Sequence, residues 1–155
     1  MSTKNVSEAR GALAKDLPIA VKQLLYAQKK YFQKIIAELQ QHGRKTSHWA
    51  WYVWPTSMIG RSDSLCTRVT DETVLILLQE TDTELWTKIF SLLSELLTSG
   101  KKVNKVIPPI DHGRIKYFFS FWIDKHGERV SEGFPSFYGE VVKFSELFNS
   151  AKMKQ

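Results

Sequence analysis

The sequence predicts an all-α, or mainly α, fold arranged as a single compact multi-helix domain. Two stretches with apolar residues at three- and four-residue steps carry that expectation. So does a 155-residue chain that is 43% hydrophobic and 12% aromatic, enough material to enclose one core without staples. Residues 1–15 read as a loosely ordered N-terminal segment and 16–155 as the helical domain. The first helix starts after Asp16 as cap, with Pro18 in its first turn. Ile19, Val21, Leu24, Leu25, Phe32, Ile35, Ile36 and Leu39 supply its apolar face, and Gly43 stops it.

In the second clear helix, Thr81 and Glu84 form a capping box. Leu85, Ile89, Leu92, Leu93, Leu96 and Leu97 continue the stripe, and Gly100 ends it. Between the two helices, Val74–Leu78 fits a buried strand or a buried helix equally well. The aromatic block from Ile115 to Ile123 is similarly open, its Phe and β-branched content leaning toward strand. Lys125–Glu128 reads as a turn and Phe134–Gly139 as a connection to a short last helix, Val141–Phe148. The region thus leaves room for a small β-hairpin near the C-terminus.

Composition limits the chemistry. Cys66 is the only cysteine, so an intramolecular disulfide and a thiolate metal cluster are both excluded, and a reducing, cytoplasmic location is expected. A buried, inert thiol is the ordinary reading of Cys66, which has no adjacent base. No signal-peptide pattern opens the chain and no apolar run reaches membrane-spanning length. His42, His48, His112 and His126 lack metal-ligand spacing, so no metal site and no cofactor is expected. Phosphate-loop and dinucleotide glycine signatures are likewise missing. The formal charge of +6 favours anionic partners. Lys101, Lys102 and Lys105 form its densest stretch and read as a solvated loop.

One segment stands out. Gly43-Arg44-Lys45-Thr46-Ser47-His48-Trp49-Ala50-Trp51-Tyr52-Val53-Trp54-Pro55 holds three of the five tryptophans within six positions, and Gly60-Arg61-Ser62 follows. Such rings form either a core or the wall of a ligand site. Arg44, Lys45, His48, Arg61 and Ser62 beside a flat aromatic surface are the donors that hold a phosphate and stack a base. Gly60 permits close backbone approach.

These residues also carry a likeness. Tyr26-Ala27-Gln28, Ala37-Glu38-Leu39, Gly43-Arg44-Lys45, Ser47-His48-Trp49, Trp51, Pro55 and Gly60-Arg61-Ser62 resemble the opening signature of the bacterial domain-of-unknown-function family eighteen-ten. Asp111, Ile115, Lys116, Tyr117 and Ser120 resemble its later aspartate and the run that follows. Trp54, Thr56, Phe119 and the tail after Lys125 depart from that pattern. The resemblance implies an all-helical fold, helical blocks at Val74 and Ile115 included, and no settled activity.

Two classes of function follow. The first is a pocket for a phosphorylated nucleotide-type ligand, an ADP-ribose or NAD derivative, with hydrolysis as an added activity. Its ligand-binding set is Arg44, Lys45, Ser47, Trp49, Trp51, Gly60, Arg61, Ser62, Lys116 and Ser120. Its acid–base candidate is His48, with Asp111 as partner carboxylate; a helix cap is the structural alternative for Asp111. The second class is a noncatalytic protein- or nucleic-acid-interaction module in which the tryptophans are core and Phe134–Tyr138 meets the partner.

Overall fold

Helices make up all the regular structure of the computed structural model, which describes residues 17–57 and 68–153, and no strand occurs among those residues. Helix α1 runs Ile19–His42. The Pro18 carbonyl accepts its first backbone bond, from Lys22 N–H at 3.1 Å, and Asp16 lies outside the described residues. The buried line is Val21, Leu24, Gln28, Phe32, Ile35, Ile36 and Leu39. Ile19, expected on that face, is 72% exposed, while the polar Gln28 is enclosed. Gly43 ends α1 at φ 65°, its N–H donating to Leu39 O at 2.9 Å. A side chain there would be strained and would collide with Lys101 Nζ, which donates to Gly43 O at 3.2 Å.

A single-turn helix follows, α2 (Ala50–Val53). Val74–Leu78 proves helical as the start of α3 (Val74–Glu80). In α4 (Thr83–Thr98) the cap is Asp82, whose Oδ1 accepts from Leu85 N–H at 3.0 Å. The expected capping box at Thr81 and Glu84 does not form, because the Thr81 hydroxyl donates instead to Gln28 Oε1 at 2.6 Å. That bond satisfies the enclosed Gln28 and ties α1 to the start of α4. A second single turn, α5 (Val103–Val106), and a 3₁₀ turn, Pro109–Asp111, lead into α6 (His112–Phe119).

Helix α6 continues into a π-helical turn, Ser120–Lys125. The strand lean of this block is overruled by its burial pattern. Ile115, Phe118, Phe119 and Trp122 are buried at helical steps, Phe121 joins them where the π turn widens the buried arc, and Tyr117, which a two-residue period would bury, is 52% exposed. The turn expected at Lys125–Glu128 contracts to a break at His126 before α7 (Gly127–Gly133).

No C-terminal hairpin forms among the described residues. Pro135 opens α8 (Pro135–Met153), a 19-residue helix that absorbs both the expected connector and the short last helix. Proline suits a first helical position, and the exposed Gly139 costs only about 1 kcal/mol within the helix.

Helix α4 packs along α8 and, on another side, against α1. Aromatic rings fill the junction: Trp86 lies 4.7 Å from Phe137 and edge-on to Trp122 at 5.5 Å, and Phe90 lies 5.5 Å from Phe144. This aromatic core is the wall on which the tryptophan-rich segment rests.

Candidate functional site

The loop between α1 and α2 is held from below by Glu38. Its carboxylate accepts from Thr46 N–H at 2.9 Å, Ser47 Oγ–H at 2.5 Å and Trp49 Nε1–H at 2.6 Å. Partial burial alone would raise the Glu38 pKa, but these donors outweigh it and hold the carboxyl below its ordinary value. Ser47 and the Trp49 indole nitrogen are thereby committed to shaping the loop.

Lys45 is turned inward. Its N–H donates to Val106 O at 2.8 Å, which docks the loop on α5. The ammonium then reaches Asp111 Oδ2 at 2.9 Å, with only 6% and 13% of the two side chains exposed. Lys45 Nζ also lies 5.3 Å from the Trp49 ring centroid. The enclosed Asp111 Oδ2 makes no aligned hydrogen bond, so the contact is ionic. Although Asp111 occupies the cap position of α6, its side chain does not cap that helix.

Beyond the loop, four consecutive carbonyls each accept from a different element. Gln28 Nε2 donates to Tyr52 O at 2.9 Å, Trp86 Nε1 to Val53 O at 3.0 Å, Arg114 Nη1 to Trp54 O at 3.4 Å and Trp122 Nε1 to Pro55 O at 2.7 Å. The end of a single-turn helix and the residues that follow it can lie in the interior only if their free carbonyls are satisfied in this way. Trp54 is fully buried between Trp49, at 5.4 Å, and Phe144, at 6.2 Å, and its own indole N–H has no partner among the described residues. Arg114 is half-buried, and burial lowers its pKa from the usual guanidinium value.

His112, beside Asp111, faces the other way. Its Nε2 is 2.9 Å from Ile107 O and its Nδ1 is 2.9 Å from Lys152 Nζ. The carbonyl requires Nε2–H and the ammonium requires a bare Nδ1, so the ring is neutral. Burial, more than any neighbouring charge, pulls its pKa down.

The sequence-selected residues therefore divide. Lys45, Ser47, Trp49 and Asp111 join one network with Glu38, buried at Lys45 and Trp49 and exposed at Ser47. Arg44 and His48 are exposed on the same loop, and Trp51 is half-buried with its ring 6.1 Å from Tyr52. Lys116 on α6 and Ser120 on its π-helical continuation are exposed one turn apart. Asp111 meets Lys45 rather than His48. Gly60, Arg61, Ser62 and Cys66 lie outside the described residues.

Glu38, Gln28 and Arg114 escaped selection. For Glu38 and Gln28 a signal existed, since both fall in the runs that carry the family likeness; for Arg114 there was none. Among the described residues no three His, Cys, Asp or Glu side chains converge as metal ligands, and no helix is long and apolar enough to cross a membrane.

The family model described as "Protein of unknown function (DUF1810)" matches residues 18–112, from the start of α1 to the first residue of α6. That span holds Glu38, the whole Gly43–Pro55 segment and Asp111, while residues 113–155 fall outside it. No curated protein and no solved structure matches the chain.

Proposed function

The chain belongs to this family of proteins of unknown function, and we propose that it binds a phosphorylated nucleotide-type ligand, an ADP-ribose or NAD derivative, on the Gly43–Trp49 loop and the start of α6. The carrying observation is the Trp54 indole, a fully enclosed N–H donor without a partner among the described residues; Arg114 binds the carbonyl of the same residue, and the neighbouring Trp49 ring carries Lys45. A buried donor left unpaired costs about 1–3 kcal/mol, and an anionic acceptor is the group that two cations and an orphan N–H would welcome together.

In this reading Lys45 and Arg114 take the inner phosphate and Arg44 an outer one. Trp51, half-buried at the loop's exit, stacks the base. Lys116 and Ser120 contact the ligand's outer end. His48 is the acid–base candidate if the bound ligand is also hydrolysed, and Asp111 serves by holding Lys45 in place. A noncatalytic interaction module is the second reading, favoured by the neutralisation of Lys45 by Asp111 and by the burial of Trp49.

Thermal melting with ADP, NAD and ADP-ribose separates the two. A ligand at one hundred times its dissociation constant stabilises by about 2.7 kcal/mol, a readily visible shift in a domain of this size. Melting curves unmoved by the whole panel leave the interaction module. With a binding ligand, His48→Ala that retains affinity but loses turnover marks His48 as the acid or base.

A further inference from the structure

On α1, away from that loop, lies a face that the ligand site does not use. Between Ile19 and Ala37 the helix carries Lys22, Lys29, Lys30 and Lys34 and no acidic residue. Lys22, Tyr26, Lys30 and Lys34 recur every fourth position and are all exposed, which sets them about 6 Å apart along one stripe. Tyr26 is 68% exposed, far more than its aromatic surface would favour in a solvent-facing helix.

Cations and rings alternate along this stripe. Lys30 Nζ lies 6.0 Å from the Tyr26 centroid and 5.4 Å from that of Tyr31, and Lys34 Nζ lies 5.6 Å from Tyr31. Tyr31 in turn stacks on Tyr52 of α2, with centroids 5.2 Å apart and planes within 5°. Neither Lys30 nor Lys34 pairs with a carboxylate among the described residues. Glu38, the next acid along the helix, is taken by Thr46, Ser47 and Trp49.

A polyanion that offers flat rings at a regular spacing fits such a surface. An acidic peptide supplies charge without the rings, and a duplex stacks its bases against each other, out of reach of a tyrosine. A single mononucleotide is too short for a stripe of about 18 Å. We infer that the Lys22–Tyr26–Lys30–Lys34 face of α1, extended by Tyr31 and Tyr52, docks single-stranded nucleic acid through phosphate contacts and base stacking.

Fluorescence anisotropy of a labelled twelve-nucleotide oligothymidylate, titrated with the full chain at several salt concentrations, tests this. Three lysine–phosphate contacts give a slope of about −2 in log affinity against log salt, at about 0.7 per contact. Lys30→Glu with Lys34→Glu weakens binding about tenfold or more, and Tyr26→Ala about fivefold or more, with circular dichroism spectra unchanged. Lys102→Glu with Lys105→Glu makes the same change in net charge elsewhere and leaves affinity within about twofold. Absence of binding at low salt, equal losses in the two double variants, or tighter binding of a duplex of equal length would each overturn the inference.

Discussion

Lys45 Nζ and Asp111 Oδ2 meet at 2.9 Å in a nearly enclosed ion pair that joins the loop after α1 to the start of α6. Two desolvated charges of this kind contribute little net stability together, but each is costly alone. Asp111→Ala is therefore expected to destabilise the fold by about 3–5 kcal/mol. Lys45→Met combined with Asp111→Leu should recover most of that loss. Urea denaturation of the two variants checks both; a single-variant loss below about 1 kcal/mol would mean that water reaches Lys45 when its partner is gone.

The Glu38 carboxylate should give the fold an acid-sensitive component. Its folded pKa lies below the ordinary 4.5, so its contribution is complete above that value and is lost as pH falls through the folded pKa. Glu38→Gln keeps the shape but faces an amide N–H₂ toward N–H donors, at a cost of about 1–3 kcal/mol near neutral pH. The difference in unfolding free energy between wild type and variant should shrink as pH drops below 4.5. A difference that stays constant into acid would show that the carboxylate is not the charged acceptor of the three bonds.

Trp49 and Trp51 test how the aromatic segment is partitioned. Trp49 is 3% exposed and hydrogen-bonded to Glu38, so Trp49→Ala should cost about 3–5 kcal/mol. Trp51 is only half-buried, and Trp51→Ala should cost about 1 kcal/mol or less while weakening any ligand that stacks there. Equal losses in the two variants would place Trp51 in the core and remove it from the binding surface.

Where the sequence was legible, local periodicity did the specifying. The apolar steps of α1 and α4 and the left-handed stop at Gly43 need no knowledge of the rest of the chain. The departures are tertiary. Thr81 abandons its capping role for Gln28, 53 residues away, and Pro135 and Gly139, which punctuate a sequence, sit within one long helix because Phe137, Val141, Phe144 and Phe148 form a continuous buried face, with Phe137 and Phe144 on α4 and Phe148 on α6.

At the site, Lys45 and Asp111 could each be singled out, yet not as a pair. Chemistry alone suggests His48 for Asp111. The bond from Lys45 N–H to Val106 O sets which side chain of the loop turns inward, and no local pattern encodes it. Arg114 is a partner of a carbonyl 60 residues earlier, a relationship equally invisible from its neighbours.

Isothermal titration calorimetry of ADP-ribose into the full chain tests the proposed ligand site most directly. Saturable binding with one ligand per chain is predicted. Arg44→Ala should weaken it about tenfold or more with an unchanged melting temperature, since an exposed arginine contributes little to folding. No heat of binding from ADP-ribose, NAD or ADP at millimolar concentration, with the protein folded, would contradict it.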